Sequence, residues 1–290
     1  MNFLRYGKIY FLFSGTLIAL SVIGFAVFRL QFGIDFTGGS IMEIEYQTQR
    51  PPNEEILSAI SDLDLGSLYI QPTGERGVII RMKAASEETH QRILERLEDA
   101  QELRFESTGP VIGRELQGKT RIIVLLSLLG IALYVMFAFR KTVRPLRSWS
   151  WSIVALFTLL HDTVITLGLL VILGKYYGVQ IQIPILVALL TVIGYSINDT
   201  VVVFDRIREN LSHKAGFDLA DTINKSITQT LSRSLATSAT TLLVLLALLF
   251  FGGETLKFFA LTLVAGIAIG TYSSIFIAPV LLFKWFGRRT

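Results

Sequence analysis

Six apolar stretches dominate the chain, and each is long enough, or nearly so, to cross a bilayer as an α-helix. A helix needs roughly 20 apolar residues to span the hydrocarbon core, and 51% of the 290 residues here are hydrophobic. The stretches are Ile9–Phe28, Ile122–Phe139, Trp151–Leu173, Ile181–Phe204, Leu235–Phe251 and Phe258–Phe283. This pattern predicts a polytopic α-helical membrane protein. The first stretch is too long for a signal-peptide core and lacks a small-residue cleavage site after it, so we expect an uncleaved anchor.

Charge is divided unevenly between one long polar segment and the rest of the chain. Segment 33–121 holds 16 of the 23 acidic residues but only 10 of the 27 basic ones. Lys and Arg concentrate in the cytoplasmic connections of membrane proteins, and 14 of them fall in alternate connections, against Lys175 and Lys257 in the others. We therefore expect both termini to be cytoplasmic and segment 29–121 to be external. The excess of basic residues is explained by this membrane topology and does not require nucleic-acid binding. The 14 are Arg5, Lys8, Arg140, Lys141, Arg144, Arg147, Arg206, Arg208, Lys214, Lys225, Arg233, Lys284, Arg288 and Arg289.

The external segment is predicted to fold as one small α+β domain. Strand patterns alternate with helix patterns in the order βαββαβ, which is the ferredoxin-like arrangement. Asn53 and Ser86 are the expected helix caps. Cysteine is absent, so the domain must be stabilised by its own core without disulfides. The expected domains are 1–30 (cytoplasmic N-terminus and first span), 31–120 (external α+β domain) and 121–290 (spans two to six with a cytoplasmic C-terminus).

Asp199 is a carboxylate inside the fourth apolar stretch, where insertion of a charge costs on the order of 3 kcal/mol. Such groups commonly face a helix bundle and belong to an ion or proton path. Arg233 sits at the cytoplasmic edge of the fifth span and Asp199 lies only about one turn inside the fourth, so a pair between them is geometrically plausible and would form a switch that protonation opens. In the alternative interpretation Arg233 extends to lipid phosphates and Asp199 only bonds its neighbours. The supporting polar residues are Asn198, Thr237, Ser238 and Thr241.

His161 and Asp162 lie in the middle of the third stretch. A histidine beside a carboxylate can relay protons, but consecutive helix residues point about 100° apart and cannot face one neighbour equally. A structural hydrogen bond to spans four or five is the alternative, and the sequence leaves both interpretations open.

Other motifs favour structure over chemistry. Gly266, Gly270 and Ser274 repeat at helical spacing and are predicted to form a packing face. Segment 113–120 matches the phosphate-loop pattern G-x-x-x-x-G-K-[ST], yet it leads into a membrane span, so we expect no nucleotide binding. No catalytic triad, paired-carboxylate site or metal cluster is evident, which predicts a non-enzymatic protein without catalytic residues, metal or cofactor. His90 and His213 are expected to be exposed.

Six motifs together resemble the SecF family, whose members are subunits of the bacterial protein-export complex SecDF. The resemblance extends over essentially the whole chain in order, and the long motif of the fourth span is the most specific. The motifs are Gly33–Ser40, Gly109–Leu116, His161-Asp162, Gly194–Asn210, Arg233–Ser238 and Gly270–Val280.

The resemblance implies half of a resistance-nodulation-division (RND) membrane unit, with SecD supplying the other half. It implies that proton flow moves the external domains and helps pull secretory polypeptide out of the SecYEG channel, in a bacterial inner membrane and with YajC and YidC as further partners. Asp199 and Arg233 fall at the family's proton-linked positions, and His161 and Asp162 match a further motif. Asp35, Gly38 and Gly39 belong to the glycine-rich motif 33–40, which by itself indicates a tight turn or a hinge before a strand.

Two alternatives follow from the same residues. An RND-type exporter of a small molecule or lipid would use the same Asp–Arg pair, although it would be expected to carry two external domains in one chain. A structural assembly factor without ion coupling predicts that Asp199→Asn has no effect.

Overall fold

The structure is a computed structural model that describes residues 2–140, 146–213 and 218–286. Of the basic residues in the predicted cytoplasmic connections, Lys141, Arg144, Lys214, Arg288 and Arg289 lie outside the described residues, as does the His213 side chain. Internal contacts divide the chain into two units. One comprises Met1–Leu30 with Ile123–Thr290, and the other is Gln31–Ile122.

Within the described ranges, six helices are long and apolar enough to cross a membrane, which makes this a multi-pass membrane protein. The predicted six-span architecture is confirmed. The sixth span is not one regular helix, because a π-helical segment interrupts it. The bounds are α1 Gly7–Phe28, α5 Pro110–Ala138, α6 Ser148–Tyr177, α7 Ile183–His213, α8 Leu219–Phe251 and, for the sixth, α9 Glu254–Tyr272, the π segment Ser273–Ile277 and α10 Ala278–Phe286.

Local sequence sets the ends of these helices. Pro110 begins α5 and Pro184 lies in the first turn of α7, where a missing backbone N–H removes no helical hydrogen bond. Gly178 ends α6 in the left-handed conformation at φ 66° and ψ 21°, which costs a glycine little.

Small residues let the spans approach closely. A Cβ added to Gly266 would come within 2.2 Å of the Val192 side chain, and one added to Gly270 would lie 3.0 Å from the Ser196 Cβ. Ser274 donates a hydrogen bond to the Ser196 carbonyl at 3.2 Å. The predicted packing face on the sixth span is therefore confirmed, and it lies against α7.

The external unit has a four-stranded antiparallel sheet in the order β2-β3-β1-β4. Its elements are α2 Ile34–Thr37, β1 Gly39–Tyr46, α3 Asn53–Ile60, β2 Tyr69–Thr73, β3 Gly77–Met82, α4 Glu87–Arg96 and β4 Ala100–Thr108. Alternate strand residues such as Met42, Ile44 and Ile80 are buried against Ile56 and Ile93 of the two helices. The predicted ferredoxin-like fold is confirmed, and alternation with period two produces its core.

Two local predictions about this unit were wrong. Asn53 does not cap α3: the helix begins at Asn53 itself, Pro52 is the cap residue, and the Asn53 side chain accepts from Arg50 at 2.7 Å. His90 is not exposed, because it is 7% accessible and stacks on Phe105 with ring centroids 3.9 Å apart. Ser86 does cap α4 as predicted, accepting from the Thr89 N–H at 3.3 Å.

The phosphate-loop pattern at 113–120 lies wholly within α5. A phosphate loop needs non-helical backbone whose N–H groups point at the ligand, but in a helix interior these groups are already bonded to carbonyls. The match to the motif is therefore a coincidence of sequence.

Candidate functional site

Within the described part of the membrane unit, Asp162 is the carboxylate with the most side-chain hydrogen-bond donors. It lies in the middle of α6 and is 1% exposed. Its Oδ2 accepts from Ser196 on α7 at 2.5 Å and from Ser273 in the π segment at 2.7 Å, and its Oδ1 accepts from His161 Nδ1 at 2.8 Å. Short bonds from three donors stabilise the carboxylate as an anion in an apolar interior.

His161 bonds to its chain neighbour and leaves its other nitrogen free. Because Nδ1–H donates to Asp162, a neutral imidazole presents an unprotonated Nε2. This Nε2 is buried and has no hydrogen-bond partner within the described part of the chain. The sequence left open whether the pair relays protons or is structural. The geometry shows a structural bond on one side of the ring and a buried nitrogen without a hydrogen-bond partner among the described residues on the other.

Asp199 lies on α7 one turn beyond Ser196, is 2% exposed, and is held more loosely. Its Oδ2 faces the hydroxyls of Ser238 on α8 at 3.3 Å and Thr271 on α9 at 3.5 Å. Both distances exceed the 2.5–3.0 Å range of good O–H···O bonds.

The two hydroxyls near Asp199 also bond to other acceptors. Ser238 and Thr271 lie 2.6 Å apart, and Thr271 is 2.9 Å from the Ile267 carbonyl. Each hydroxyl has one proton to donate. If Ser238 donates to Thr271 and Thr271 donates to Ile267, Asp199 receives no proton from either. A protonated Asp199 would supply its own donor to this cluster.

The suggested Asp199–Arg233 ion pair is not formed. Across residues 2–140, 146–213 and 218–286, no salt bridge within 4 Å joins these two side chains, although Arg233 lies within electrostatic range of the carboxylate. Arg233 is exposed and lines a groove of about 530 Å³ between α5, α7 and α8. Asp199 is buried and Arg233 is exposed, so the two side chains cannot pair unless a helix or a side chain moves.

The groove at Arg233 contains further charged residues at the end of α7. Arg206 bonds to Glu209 at 2.6 Å and Arg208 to Asp205 at 2.5 Å, so these four charges neutralise one another locally. Arg233 is therefore the cation in this groove whose charge is left to act on Asp199.

The supporting polar residues have different roles. Ser238 contacts Asp199, as described above. The hydroxyls of Thr237 and Thr241 donate to carbonyls one turn earlier in their own helix, and Thr241 also lies 3.3 Å from the Tyr195 hydroxyl. Asn198 is exposed and lines an apolar groove of about 580 Å³ between α5 and α7. Asp35, Gly38 and Gly39 lie in the external unit.

Sequence reasoning missed the hydroxyls that complete the site. Thr271, Ser273 and Ser196 were not among the predicted supporting residues, although Thr271 faces Asp199 and the two serines bond to Asp162. Their signal was a run of hydroxyls, Thr271-Tyr-Ser-Ser274, inside an apolar span. In a membrane such hydroxyls commonly bond across helices.

The π segment brings these hydroxyls to α6 and α7. Besides the Ser273–Asp162 bond, Ser274 bonds to Thr200 of α7 at 2.7 Å. π-Helical turns insert one extra residue into a helix and occur frequently at functional sites. Here the π turn lets the adjacent residues Ser273 and Ser274 bond to two different helices.

Comparison with known proteins gives consistent matches. The family model described as "Protein export membrane protein SecD/SecF, C-terminal" matches residues 89–288, and the one described as "SecD/SecF GG Motif" matches residues 23–49. A protein named "Protein translocase subunit SecF" from Thermobaculum terrenum is 38% identical, over 98% of this chain and 94% of its own length. One of the same name from Desulfurispirillum indicum is 42% identical, over 95% and 88%.

The fold is also similar to solved structures. The crystal structure of SecDF, a translocon-associated membrane protein from Thermus thermophilus, superposes with a TM-score of 0.84 at 35% identity. A second structure, of SecDF in a super-membrane-facing form, gives 0.69. The match to the first covers 99% of this chain but 39% of the SecDF chain, so this chain corresponds to part of that protein.

Proposed function

Because this chain belongs to the SecF family of protein-translocase subunits, we propose that it acts with a SecD partner to couple the proton motive force to late movement of secretory polypeptides out of the SecYEG channel. SecD would supply the part of the SecDF chain that has no counterpart here. YajC and YidC are the further proposed partners. The ligand is an unfolded polypeptide; nucleotide and nucleic acid have no role in this proposal.

The proposed location is the bacterial inner membrane, with both termini in the cytoplasm. Domain 31–120 would face the periplasm or other extracytoplasmic space, and 1–30 and 121–290 would hold the six spans. The distribution of Lys and Arg supports this orientation.

The observation that carries the proton-coupling proposal is the poor hydrogen-bond supply of Asp199. A buried carboxylate whose two nearest hydroxyls lie at 3.3 and 3.5 Å is poorly stabilised as an anion and gains a donor when it takes a proton. Asp199 is therefore the proposed proton carrier. Asp162 remains an anion, and the free Nε2 of His161 is a second proton acceptor beside it.

Protonation would change the contacts between helices. A neutral Asp199 no longer attracts Arg233 and can donate to the Ser238–Thr271 pair, whereas an anionic Asp199 attracts Arg233 and competes for those hydroxyl protons. The two states thus favour different relative positions of α7, α8 and α9. A proton gradient that fills and empties Asp199 from opposite sides would drive the cycle between them.

The test uses inverted membrane vesicles that contain this chain, its SecD partner and the channel. A secretory protein is arrested midway, ATP is removed, and its completion is followed with and without a proton gradient. The Asp199→Asn variant keeps the side-chain volume but cannot carry the proton. Asp221→Asn is the matched control, because Asp221 is an exposed carboxylate in the first turn of α8.

We expect gradient-dependent completion in the wild type and in Asp221→Asn, and its loss in Asp199→Asn. Equal completion by all three proteins would refute the proton-carrier role and favour a structural subunit. Normal co-purification of SecD with Asp199→Asn is required for the comparison to count as a defect in coupling.

A further inference from the structure

Four hydroxyl side chains form a row on one face of α8. Ser226, Thr230, Ser234 and Ser238 recur every four residues, and all four are buried. Four residues of helix rise about 6 Å, so the row extends about 18 Å along the helix axis. We call these four residues the hydroxyl row. A buried hydroxyl needs a hydrogen-bond partner to offset the loss of water, so the partners of the row indicate what it binds.

The hydroxyl row joins a polar groove to the buried carboxylate of Asp199. At one end Ser226 accepts a hydrogen bond from Asn210 of α7 at 2.8 Å. Thr230 lines the groove of about 530 Å³ between α5, α7 and α8. At the other end the Ser238 hydroxyl lies 3.3 Å from Asp199 Oδ2. Both ends contact α7, so the row follows the interface between α7 and α8.

Ser234 lies between the two ends and differs from its neighbours in the row. It is 1% exposed, and its Oγ has no hydrogen-bond partner among the residues that the structure describes. Ser226 and Thr230 instead donate to carbonyls one turn earlier in their own helix, at 2.7 and 3.0 Å. A buried hydroxyl left without a bond costs about 1–3 kcal/mol. Ser234 therefore has both its proton and its lone pairs available to a small polar ligand.

The spacing of the row indicates that this ligand is water. Neighbouring hydroxyls on one helix face are about 6 Å apart, which is too far for a direct hydrogen bond. Two bonds of about 2.8 Å through one water molecule match that separation. Ser226, Ser234 and Ser238 are each at most 3% exposed, so a larger ligand has no access to them.

We propose that the hydroxyl row is the path by which protons pass between Asp199 and the groove at the predicted cytoplasmic end, with Ser234 as its central relay. This role rests on the function proposed above, in which Asp199 carries the proton. The Asp199 O–H bond breaks as a new O–H bond forms on Ser238, which passes its own proton to the next water. Ser234 repeats this exchange, and a water held by Thr230 releases the proton into the groove as hydronium. Protons and electrons balance without a further reactant.

Water in the row can be measured directly by solid-state NMR. The complex with SecD is reconstituted in lipid bilayers with ¹³C-serine in this chain only, and polarisation transfer from water protons to each serine Cβ is followed. Ser234→Thr identifies the Ser234 signal by its loss. Ser21 is the matched control, because it is buried and donates to the Leu17 carbonyl of its own helix at 2.9 Å. We expect transfer to Ser234 to be about threefold faster or more. Equal rates would overturn the proposal.

Two variants of nearly equal volume separate the relay from its packing. Ser234→Thr keeps the hydroxyl, whereas Ser234→Val has a methyl group in its place. In the vesicle assay we expect Ser234→Val to lose gradient-dependent completion about tenfold and Ser234→Thr to stay within about twofold of wild type. Thr228→Val is the control, because Thr228 is exposed on the same helix and donates to the Asn224 carbonyl at 2.9 Å. It should also stay within about twofold.

The comparison of threonine with valine decides the role of the hydroxyl. Equal completion by Ser234→Thr and Ser234→Val would refute the relay, whether both are normal or both are impaired, because only the hydroxyl distinguishes them. Co-purification of SecD with each variant verifies that the complex is intact. Absence of gradient dependence in the wild type would refute the proposed function, and the NMR comparison would then decide whether water occupies the row.

Discussion

Asp162 and Asp199 are both carboxylates buried in an apolar helix bundle, yet they are held in opposite ways. Three donors on three elements surround Asp162 at 2.5 to 2.8 Å. Asp199, on the helix that supplies Ser196 to Asp162, has two hydroxyls beyond 3.2 Å that also bond to each other. This contrast in hydrogen bonding supports the proposed roles, in which Asp162 keeps its charge and Asp199 takes up a proton.

The difference lies in the supply of donors, because both carboxylates are almost equally inaccessible to solvent. Burial penalises any anion, and only hydrogen bonds or an opposite charge offset that cost. In the proposed assignment, the same bundle contains an anion at Asp162 on α6 and a proton carrier at Asp199 on α7. The predictions below test this contrast.

The largest expected effect is on stability when Asp162 is truncated. Asp162→Ala leaves the His161 and Ser196 donors buried without their acceptor and leaves Ser273 only the Gly270 carbonyl at 3.1 Å, which should cost about 3–5 kcal/mol of unfolding free energy. Asp199→Ala removes only weakly bonded contacts and should cost about 1–2 kcal/mol. Reversible denaturation in detergent micelles measures both. Equal losses would mean that the two sites do not differ in the way we describe.

Single hydroxyl deletions should repeat the contrast on a smaller scale. Ser273→Ala removes a bond of 2.7 Å to a charged acceptor and should cost about 1.5–3 kcal/mol. Ser238→Ala removes the 3.3 Å contact to Asp199 and a neutral bond of 2.6 Å to Thr271, which can still donate to the Ile267 carbonyl, and should cost about 0.5–1.5 kcal/mol. The same denaturation series compares them. A larger loss for Ser238→Ala would reverse the assignment of the permanent anion.

Helix spacing should matter for Asp199 because its donors come from α8 and α9. Gly266→Ala would push the Val192 side chain on α7, with the added Cβ only 2.2 Å from it, and should cost about 1–3 kcal/mol through overpacking. Gly194→Ala is the control: an added Cβ there meets no atom within 4 Å, and the change should stay within about 0.5 kcal/mol. Alanine is a better helix former than glycine, so helix propensity cannot produce a loss, and a similar loss for both variants would contradict a spacing effect specific to Gly266.

The smallest effect is expected at Asp62, an exposed carboxylate. It extends the comparison from buried carboxylates to one in solvent. A hydrogen bond from Arg96 lowers the pKa of the Asp62 carboxyl from its ordinary value of 3.8 and joins α3 to α4. Because the folded-state pKa is lowered, the contribution to stability is present above pH 3.8 and is lost as pH falls through the lowered value. Solvent screening keeps it small.

Hydrogen exchange of the α3 and α4 amides measures this effect, with Asp62→Asn compared with wild type at each pH. We expect slightly faster exchange in the variant at pH 7 and no difference once the wild-type carboxyl is protonated. A difference that grows as pH falls would contradict the assignment. Glu54→Gln, in the first turn of α3, controls for loss of an acidic group near the helix N-terminus.

Sequence patterns with a short period predicted most of the fold. The six spans follow from runs of apolar residues, the ferredoxin-like order follows from alternation and turns, and the Ser86 cap follows from a local rule. The Asn53 cap failed because the helix starts one residue earlier than predicted, at Asn53 itself, with Pro52 in the cap position.

Only part of the site could be predicted from the sequence. Asp199, Asp162 and His161 stood out because charged or titratable groups are rare in apolar spans. Their partners did not stand out, because Thr271 lies 72 residues from Asp199 and Ser273 lies 111 residues from Asp162. Hydroxyls are common in membrane helices, and nothing local distinguishes one that reaches a carboxylate from one that bonds to its own helix, as Thr237 does.

The sequence by itself determined that this chain crosses a membrane six times, carries one small α+β domain, and places carboxylates where charge is expensive. Those properties depend on composition and period along the chain, which local physics decides. Only the tertiary structure decided that Asp162 takes the strong donors, that Asp199 does not, and that Arg233 lies apart from it. Hydrogen bonds depend on distances of a few tenths of an ångström, and these are set by how helices distant in sequence pack against one another.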